Sequence, residues 1–250
     1  MSRLSIKLGY WSAVVSVILA GGYILGVVLL LVFPAPGWTN LPEFAEAIRP
    51  VSLVAFTFVQ AMVFLNGPAY VVLICCLHEY APAEKKILTR IGLCCIVGTM
   101  VLGNQLYYLS FNAIRLIVTK SDLTGLDQFV EWNWNAPMTA SGLLGWTFFL
   151  GLAFLFVGPI FSGGRLERWL RWASLTLGVS SLLGMLGNLL ASPMLAILYL
   201  LGMTVSGTVL AVLASVLFKR LAGSTLQVPL PRPVVSVGPE PRPLPGRMRV

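Results

Sequence analysis

Long apolar runs without a charged side chain alternate along the chain with short polar segments. Positions 8–33, 51–77 and 172–218 contain no charged residue at all. A bilayer core of about 30 Å is crossed by about 20 helical residues, so the last run is long enough for two spans, with a break at Ser192-Pro193. The pattern predicts an all-α, polytopic membrane bundle of six transmembrane helices. We place the spans at residues 8–33, 51–77, 91–118, 138–161, 172–191 and 194–218, within a transmembrane domain covering 1–220.

Polar side chains interrupt one of these runs, the third span. Asn104, Tyr108, Asn112 and Arg115 follow one another at spacings of four, four and three residues, which places them on one face of a helix. We call these four residues the polar stripe. An amide or guanidinium group exposed to hydrocarbon costs several kcal/mol without a partner. We therefore expect this face to point toward other helices or toward a water-filled cavity.

Two interpretations of the polar stripe stay open. Its side chains and those of span two either hydrogen-bond neighbouring helices, at about 1 kcal/mol per bond, or line a cavity open to the outer leaflet. In the second case Arg115 faces an anionic head group or carboxylate, and Trp132 or Trp134 covers the cavity instead of only anchoring the interface. An antiparallel hairpin places Asn66 near the depth of Asn104, so these amides are positioned to hydrogen-bond. The candidate ligand-binding residues are Gln60, Asn66, Asn104, Gln105, Tyr108, Asn112, Arg115, Trp132 and Trp134, with Asn188 as a further candidate on span five.

The basic residues divide unequally between the two sides of the predicted bundle. Assigning alternate loops to opposite sides leaves three of the 17 lysines and arginines on one side, namely Arg49, Arg115 and Lys120, and fourteen on the other. The positive-inside rule then places both termini in the cytoplasm and predicts a plasma (inner) membrane protein. Because the net charge of +8 comes from clusters between apolar runs, we expect no nucleic-acid binding.

The C-terminal residues 221–250 differ in composition from the spans, because proline and arginine replace the apolar residues. Pro231-Arg232-Pro233 and residues 239–245 favour an extended polyproline II conformation and offer no apolar periodicity for a core. We expect a disordered cytoplasmic tail that is attracted to anionic lipid, or that binds a proline-recognising domain.

Several classes of chemistry are disfavoured by the residues present. No HExxH, GxSxG, P-loop or GxGxxG motif occurs, and no Asp or Glu lies within a predicted span. His78 is the only histidine, and the four cysteines form two adjacent pairs without CxxC spacing, so we predict no metal and no cofactor. Cys75 and Cys94 reach similar depth in a hairpin, as a thiol pair or, more simply, as small apolar fillers. Ion-coupled carriers commonly need an intramembrane carboxylate, and a nucleophile needs a base, so the sequence argues against both classes.

Short motifs recur about 84 residues apart. Gly103-Asn104 recurs as Gly187-Asn188, and Glu84-Lys85 recurs as Glu167-Arg168, as expected of duplicated helical hairpins in parallel orientation. Six spans, a short amphipathic helix near 41–48, a basic turn before the third span and the turn 164–170 resemble a bacterial six-helix integral membrane family known only as a domain of unknown function. The resemblance implies the fold and a membrane location for residues 8–220, and it carries over no catalytic residue.

Three functions remain as hypotheses. The first is a non-enzymatic accessory or regulatory module that binds membrane lipids, a hydrophobic or anionic amphipathic molecule, a membrane-protein partner or a second copy of itself. The second is a passive or facilitated transporter, and the third is a lipid-modifying membrane enzyme. The absence of a catalytic motif favours the first.

Overall fold

The computed structural model describes residues 1–34, 41–119, 122, 125–129 and 136–225. Within these ranges every regular element is helical, and six helices are long and apolar enough to cross a membrane. The chain is an all-α polytopic bundle, so the predicted fold class is confirmed. The helices are α1 (Arg3–Val32), α2 (Leu41–Ala47), α3 (Pro50–Tyr80), α4 (Lys86–Val118), α5 (Pro137–Leu144), α6 (Leu150–Val157), α7 (Arg165–Leu189) and α8 (Pro193–Thr225). A π-helical turn, Gly145–Phe149, joins α5 to α6, and these three elements form the fourth span.

The six spans form a closed ring in chain order. Helix α1 packs on α3, α3 on α4, α4 on the fourth span, that span on α7, α7 on α8, and α8 returns to α1. Each neighbour therefore runs antiparallel to the next, as expected where short connections join consecutive helices. The ring closes tightly at Gly9, where an added Cβ would lie 2.5 Å from the ring of Phe218. The start of α1 and the end of α8 thus share one end of the bundle.

Local sequence explains where the helices begin. The Ser2 hydroxyl accepts a hydrogen bond from the Ser5 backbone N–H at 3.0 Å and caps α1. Helices α3, α5 and α8 start at Pro50, Pro137 and Pro193, because proline has the dihedral angle of a first helical residue and lacks only an N–H that would have no partner there. The predicted break between the fifth and sixth spans is therefore correct.

The end of the bundle where α1 begins and α8 ends is stabilised by polar contacts between two turns. The Tyr80 hydroxyl donates a short hydrogen bond to the Glu167 carboxylate at the start of α7. The Lys85 ammonium donates to the carbonyl oxygen of Pro159 at 2.9 Å. These contacts join the α3–α4 turn to the turn before α7, and we call them the turn clasp.

The interior of the ring is filled by large apolar side chains. Leu73, Phe154 and Leu210, from three different spans, are fully buried, and the ring of Tyr70 meets that of Phe154 edge-on at 5.5 Å. At the opposite end from the start of α1, α2 forms a second small core in which its Leu41 and Phe44 pack on α4. This helix occupies the position predicted for a short amphipathic helix. The bundle therefore holds its shape mainly by apolar packing.

Two sequence expectations need revision. Helix α8 continues through Thr225, so the first residues of the predicted tail 221–250 are helical, while residues 226–250 lie outside the described ranges. The proposed repeat pairs Asn104 with Asn188, yet Asn104 lies in the middle of α4 and Asn188 in the last turn of α7. The two asparagines thus occupy different depths.

Candidate functional site

Asn104 compensates for a proline in the neighbouring helix. Pro68 lies inside α3 and has no N–H, so the carbonyl oxygen of Phe64, one turn earlier, lacks its usual helical donor. The Asn104 amide donates to this oxygen at 3.0 Å, and Asn104 is only 8% exposed. Gly67 makes room for the contact, since a Cβ there would lie 3.0 Å from the Asn104 amide nitrogen. This part of the polar stripe is therefore a helix-to-helix contact.

The expected hydrogen bond between Asn66 and Asn104 is absent. The side-chain carbonyl oxygens of both residues are buried and find no hydrogen-bond partner among the described residues. The Asn66 side chain instead hydrogen-bonds the Tyr70 hydroxyl, one turn further along α3. That hydroxyl lies against Gly207 of α8, 3.1 Å from where a Cβ would be. Asn66 therefore faces the centre of the ring, on the same side of α3 as Tyr70.

A small cavity lies beside Asn66 in the centre of the ring. Its volume is about 50 Å³, and its lining comes from α1, α3, α8 and the fourth span, including Tyr23, Trp146 and Thr204. Since one water needs at least about 10–15 Å³, the cavity has room for a few waters beside the Asn66 amide. We call it the central cavity. It is too small for a lipid-like ligand.

The indole of Trp146 belongs to the π-helical turn next to this cavity. Its Nε1 atom is buried without a hydrogen-bond partner among the described residues and lies against Gly103, which has no side chain to block it. The Tyr199 hydroxyl donates to the Trp146 backbone carbonyl oxygen at 3.5 Å. Turns of this type are frequent at functional sites, because they leave backbone groups outside the regular helical pattern.

The rest of the polar stripe faces away from the bundle. Tyr108 is 61% exposed, Arg115 is exposed, and Asn112 is half-buried, with its amide donating to the Tyr108 backbone carbonyl oxygen at 2.9 Å. The candidate Gln105, beside the stripe, is exposed as well. The prediction of one inward face was therefore wrong beyond Asn104. The physical reason is helix rotation, since the buried face of α4 passes instead through Gly103, Tyr107, Ser110 and Ile114.

Four other candidate residues remain, and the structure describes two of them. Gln60 is fully buried in α3, whereas Asn188 is exposed at the end of α7. Trp132 and Trp134 lie outside the described residues. The sequence-predicted set therefore does not converge on one cavity: the structure separates Asn66 at the centre, Asn104 between two helices, and Tyr108 and Arg115 on the outer surface.

A second and larger cavity, which is open to the surface of the bundle, lies where α5, α7 and the start of α8 meet, at the opposite end from the start of α1. Its volume is about 790 Å³, and most of its lining is apolar, including Leu143, Met185 and Ile197. Asn188 and Ser192 supply polar groups where α7 turns into α8. We call it the α7–α8 cavity. Sequence reasoning found only Asn188, because small residues such as Ala140 and Ala196 leave a space that no motif reveals.

The turn beside the α7–α8 cavity has a strained backbone. Ala191 has a φ of 48°, a conformation that usually requires glycine. The Ser192 N–H donates to the Gly187 carbonyl oxygen at 2.9 Å, which is the six-to-one bond of a Schellman motif. Non-glycine residues in this conformation cost about 1–3 kcal/mol and cluster at binding sites. The strained residue, Ala191, is thus part of the wall of the α7–α8 cavity.

Groups suited to metal binding or nucleophilic catalysis are dispersed. In the described part of the chain, no cluster of three or more His, Cys, Asp or Glu residues could hold a metal ion, and all four cysteines are free. His78 Nδ1 lies 2.6 Å from the Thr89 hydroxyl, which itself donates to the Lys86 carbonyl oxygen. The histidine ring therefore links α3 to α4 near the turn clasp.

Comparison with known proteins yields no relative. No family model matches the chain, and no match is found among curated proteins or among solved structures. The resemblance to a bacterial six-helix family thus stays a prediction, and the functional argument rests on the geometry of the molecule.

Proposed function

We propose that the protein is a non-enzymatic membrane module that binds an amphipathic, lipid-like small molecule in the α7–α8 cavity. The observation that supports this proposal is the size and lining of that cavity, about 790 Å³ with mostly apolar walls. Ligand pockets for small molecules commonly measure about 300–1,000 Å³ and combine apolar walls with a few polar groups. The apolar side chains of α5 and α7 suit an acyl chain, and the polar side chains of Asn188 and Ser192 suit a head group.

The proposed orientation places this cavity in the outer leaflet of a plasma (inner) membrane. Fourteen of the 17 basic residues fall on the side of the two termini, which the positive-inside rule assigns to the cytoplasm. The α7–α8 turn is then at the outer interface. In support, Asn188 and Ser192 would lie at head-group depth, where polar groups remain hydrated, with the apolar wall below them.

The central cavity favours a binding role over a transport pathway. At about 50 Å³ it accommodates a few waters, and fully buried Leu73 and Phe154 fill the ring around it. Passage of a metabolite would require these side chains to move apart. A binding module needs no such rearrangement.

Native mass spectrometry of the intact chain, released from gentle detergent, tests the proposal. We expect a reproducible one-to-one adduct whose fragments identify an amphipathic molecule. Ala140→Leu with Ala196→Leu should fill the α7–α8 cavity and reduce the adduct at least fivefold, whereas the control Ala222→Leu, on an exposed position of α8, should leave it unchanged. A bare protein from native membranes, or equal loss in the control, would contradict the proposal.

A second candidate function is attachment to a membrane-protein partner through α4. Gln105, Tyr108 and Arg115 are exposed, and among the described residues their side chains have no hydrogen-bond or ionic partner. Polar groups facing hydrocarbon are costly, so a second protein surface over this face would stabilise it. A photocrosslinking residue at Tyr108 should capture a protein, and the same residue at Ile18, which is 65% exposed on α1, should capture only lipid. Lipid adducts alone at both positions would rule this candidate out.

A further inference from the structure

Five exposed side chains at the start of α7 form a patch that the proposed function does not use. Trp169 and Trp172 are 56% and 58% exposed, and Arg165, Arg168 and Arg171 are also exposed. At about 100° per residue, all of them except Arg171 fall within about 100° of one another around the helix. We call these five residues the basic–aromatic patch. It lies at the end of the bundle where α1 begins and α8 ends.

The acidic residue in the same helical turn does not neutralise the patch. One carboxylate oxygen of Glu167 accepts the Tyr80 hydroxyl, and the other accepts the backbone N–H groups of Ser162, at 3.2 Å, and of Gly163. Glu167 is therefore held in the turn clasp by all three of these donors, although Arg171 follows it by four residues on the same side of α7. Among the described residues, Arg165, Arg168 and Arg171 form no ion pair.

Neighbouring elements add positive charge at the same level. Helix α8 runs antiparallel to α7, and a Cβ on Gly202 would lie 2.5 Å from the Ser180 side chain. From this contact we count toward the start of α7 and, by the same number of residues, toward the end of α8. At 1.5 Å per residue, Lys219 and Arg220 then lie close to the level of the start of α7. The patch thus belongs to a locally positive surface whose tryptophans are suited to the head-group region of a membrane.

We propose that the basic–aromatic patch binds the head group of an anionic phospholipid. Arginine guanidinium groups form paired hydrogen bonds with phosphate oxygens, and the two indole rings lie flat against the glycerol and upper acyl region. The site is distinct from the α7–α8 cavity, because it lies at the other end of α7. Under the proposed orientation it selects a lipid of the cytoplasmic leaflet, where anionic lipids are attracted to basic segments.

The test uses the full chain in nanodiscs that contain equal amounts of phosphatidylglycerol and phosphatidylcholine with identical acyl chains. Native mass spectrometry of the ejected protein should show phosphatidylglycerol retained in at least threefold excess over phosphatidylcholine. Arg165→Gln, Arg168→Gln and Arg171→Gln together should abolish this preference. The matched control removes three exposed basic residues from the same end of the bundle, by Arg3→Gln, Lys7→Gln and Arg90→Gln, and should keep it.

The control variant distinguishes a specific lipid site on α7 from general attraction of anionic lipid to a basic surface. Equal loss of preference in both triple variants, or retention in the patch variant, would overturn the proposal. If the patch triple variant does not fold, Arg168→Gln alone should still halve the preference, and an unchanged ratio would count against the site.

Tryptophan fluorescence gives a second, independent measurement. Phosphatidylglycerol that is brominated near the head group should quench the tryptophan emission of the wild type more than that of a Trp169→Phe, Trp172→Phe variant. Equal quenching in the two proteins would count against the proposed site.

Discussion

The amide nitrogen of Asn104 in α4 donates a hydrogen bond at 3.0 Å to the backbone carbonyl oxygen of Phe64 in α3. That oxygen lies one helical turn before Pro68, which cannot supply the N–H that would normally satisfy it. An unpaired carbonyl inside a membrane costs free energy, and transmembrane prolines persist where a neighbouring group replaces the missing donor. Asn104 is that group, so its presence in an apolar helix has a structural explanation.

This relationship predicts a coupling between Asn104 and Pro68. Asn104→Ala should lower the free energy of unfolding by about 1–2 kcal/mol, since the Phe64 carbonyl oxygen then loses its donor. Pro68 is exposed, so Pro68→Ala removes little packing and restores an N–H for the same oxygen. In the Pro68→Ala background, Asn104→Ala should therefore cost about 1 kcal/mol less. Reversible unfolding in mixed micelles, titrated with sodium dodecyl sulfate, measures all four variants. An identical cost of Asn104→Ala in both backgrounds would show that the hydrogen bond contributes nothing.

Glycine at position 103 is required by the indole of Trp146. An added Cβ would collide with Trp146 Nε1, and that side chain is only 5% exposed. Gly103→Ala should therefore destabilise the bundle by about 1–3 kcal/mol through overpacking. Gly21→Ala on α1 is the matched control, because an added Cβ there meets nothing within 4 Å. The same micelle titration should show the control unchanged or slightly more stable. Equal effects at both positions would contradict the close packing at Gly103.

Replacing Ala191 with glycine should stabilise the protein. Its φ of 48° is unfavourable for alanine and natural for glycine. We expect Ala191→Gly to raise the free energy of unfolding by about 0.5–1 kcal/mol, after allowance for the greater freedom of glycine in the unfolded chain. Ala61→Gly, in the interior of α3, should instead lower it by about 0.5–1 kcal/mol. If both substitutions are destabilising, the turn is not strained as described.

The span pattern could be read from the sequence because it depends on one property, the length of uncharged apolar runs. Bilayer thickness converts that length directly into a helix count, and Pro193 marks the break between the last two spans. The closed ring was not predicted. It depends on close contacts such as Gly9 against Phe218, which are distant in the sequence and carry no common motif.

The candidate site was predictable only in part, because side-chain periodicity does not fix how a helix is rotated. The spacing of Asn104 and Tyr108 predicts that they share one inward face of α4, yet one is 8% and the other 61% exposed. Which strip is buried depends on the partner helices, and here Gly103 and Tyr107 form the inward side. Of the α7–α8 cavity, only Asn188 was a candidate from the sequence, since empty space has no sequence signal.

The turn clasp gives the last prediction, a measurable coupling between Tyr80 and Glu167. The Glu167 carboxylate accepts the Tyr80 hydroxyl together with two backbone N–H groups before α7, so it both orders the turn that leads into α7 and bridges the two turns. Glu167→Ala should cost about 1–2 kcal/mol, and Tyr80→Phe about 1 kcal/mol. Because Tyr80→Phe removes only one of the three donors, Glu167→Ala should remain destabilising in the Tyr80→Phe background, though by less than in the wild type. Strict additivity of the two substitutions would mean that the clasp does not join the turns. Loss of the two hydrogen bonds from the Ser162 and Gly163 backbone N–H groups would then explain the Glu167→Ala effect on its own.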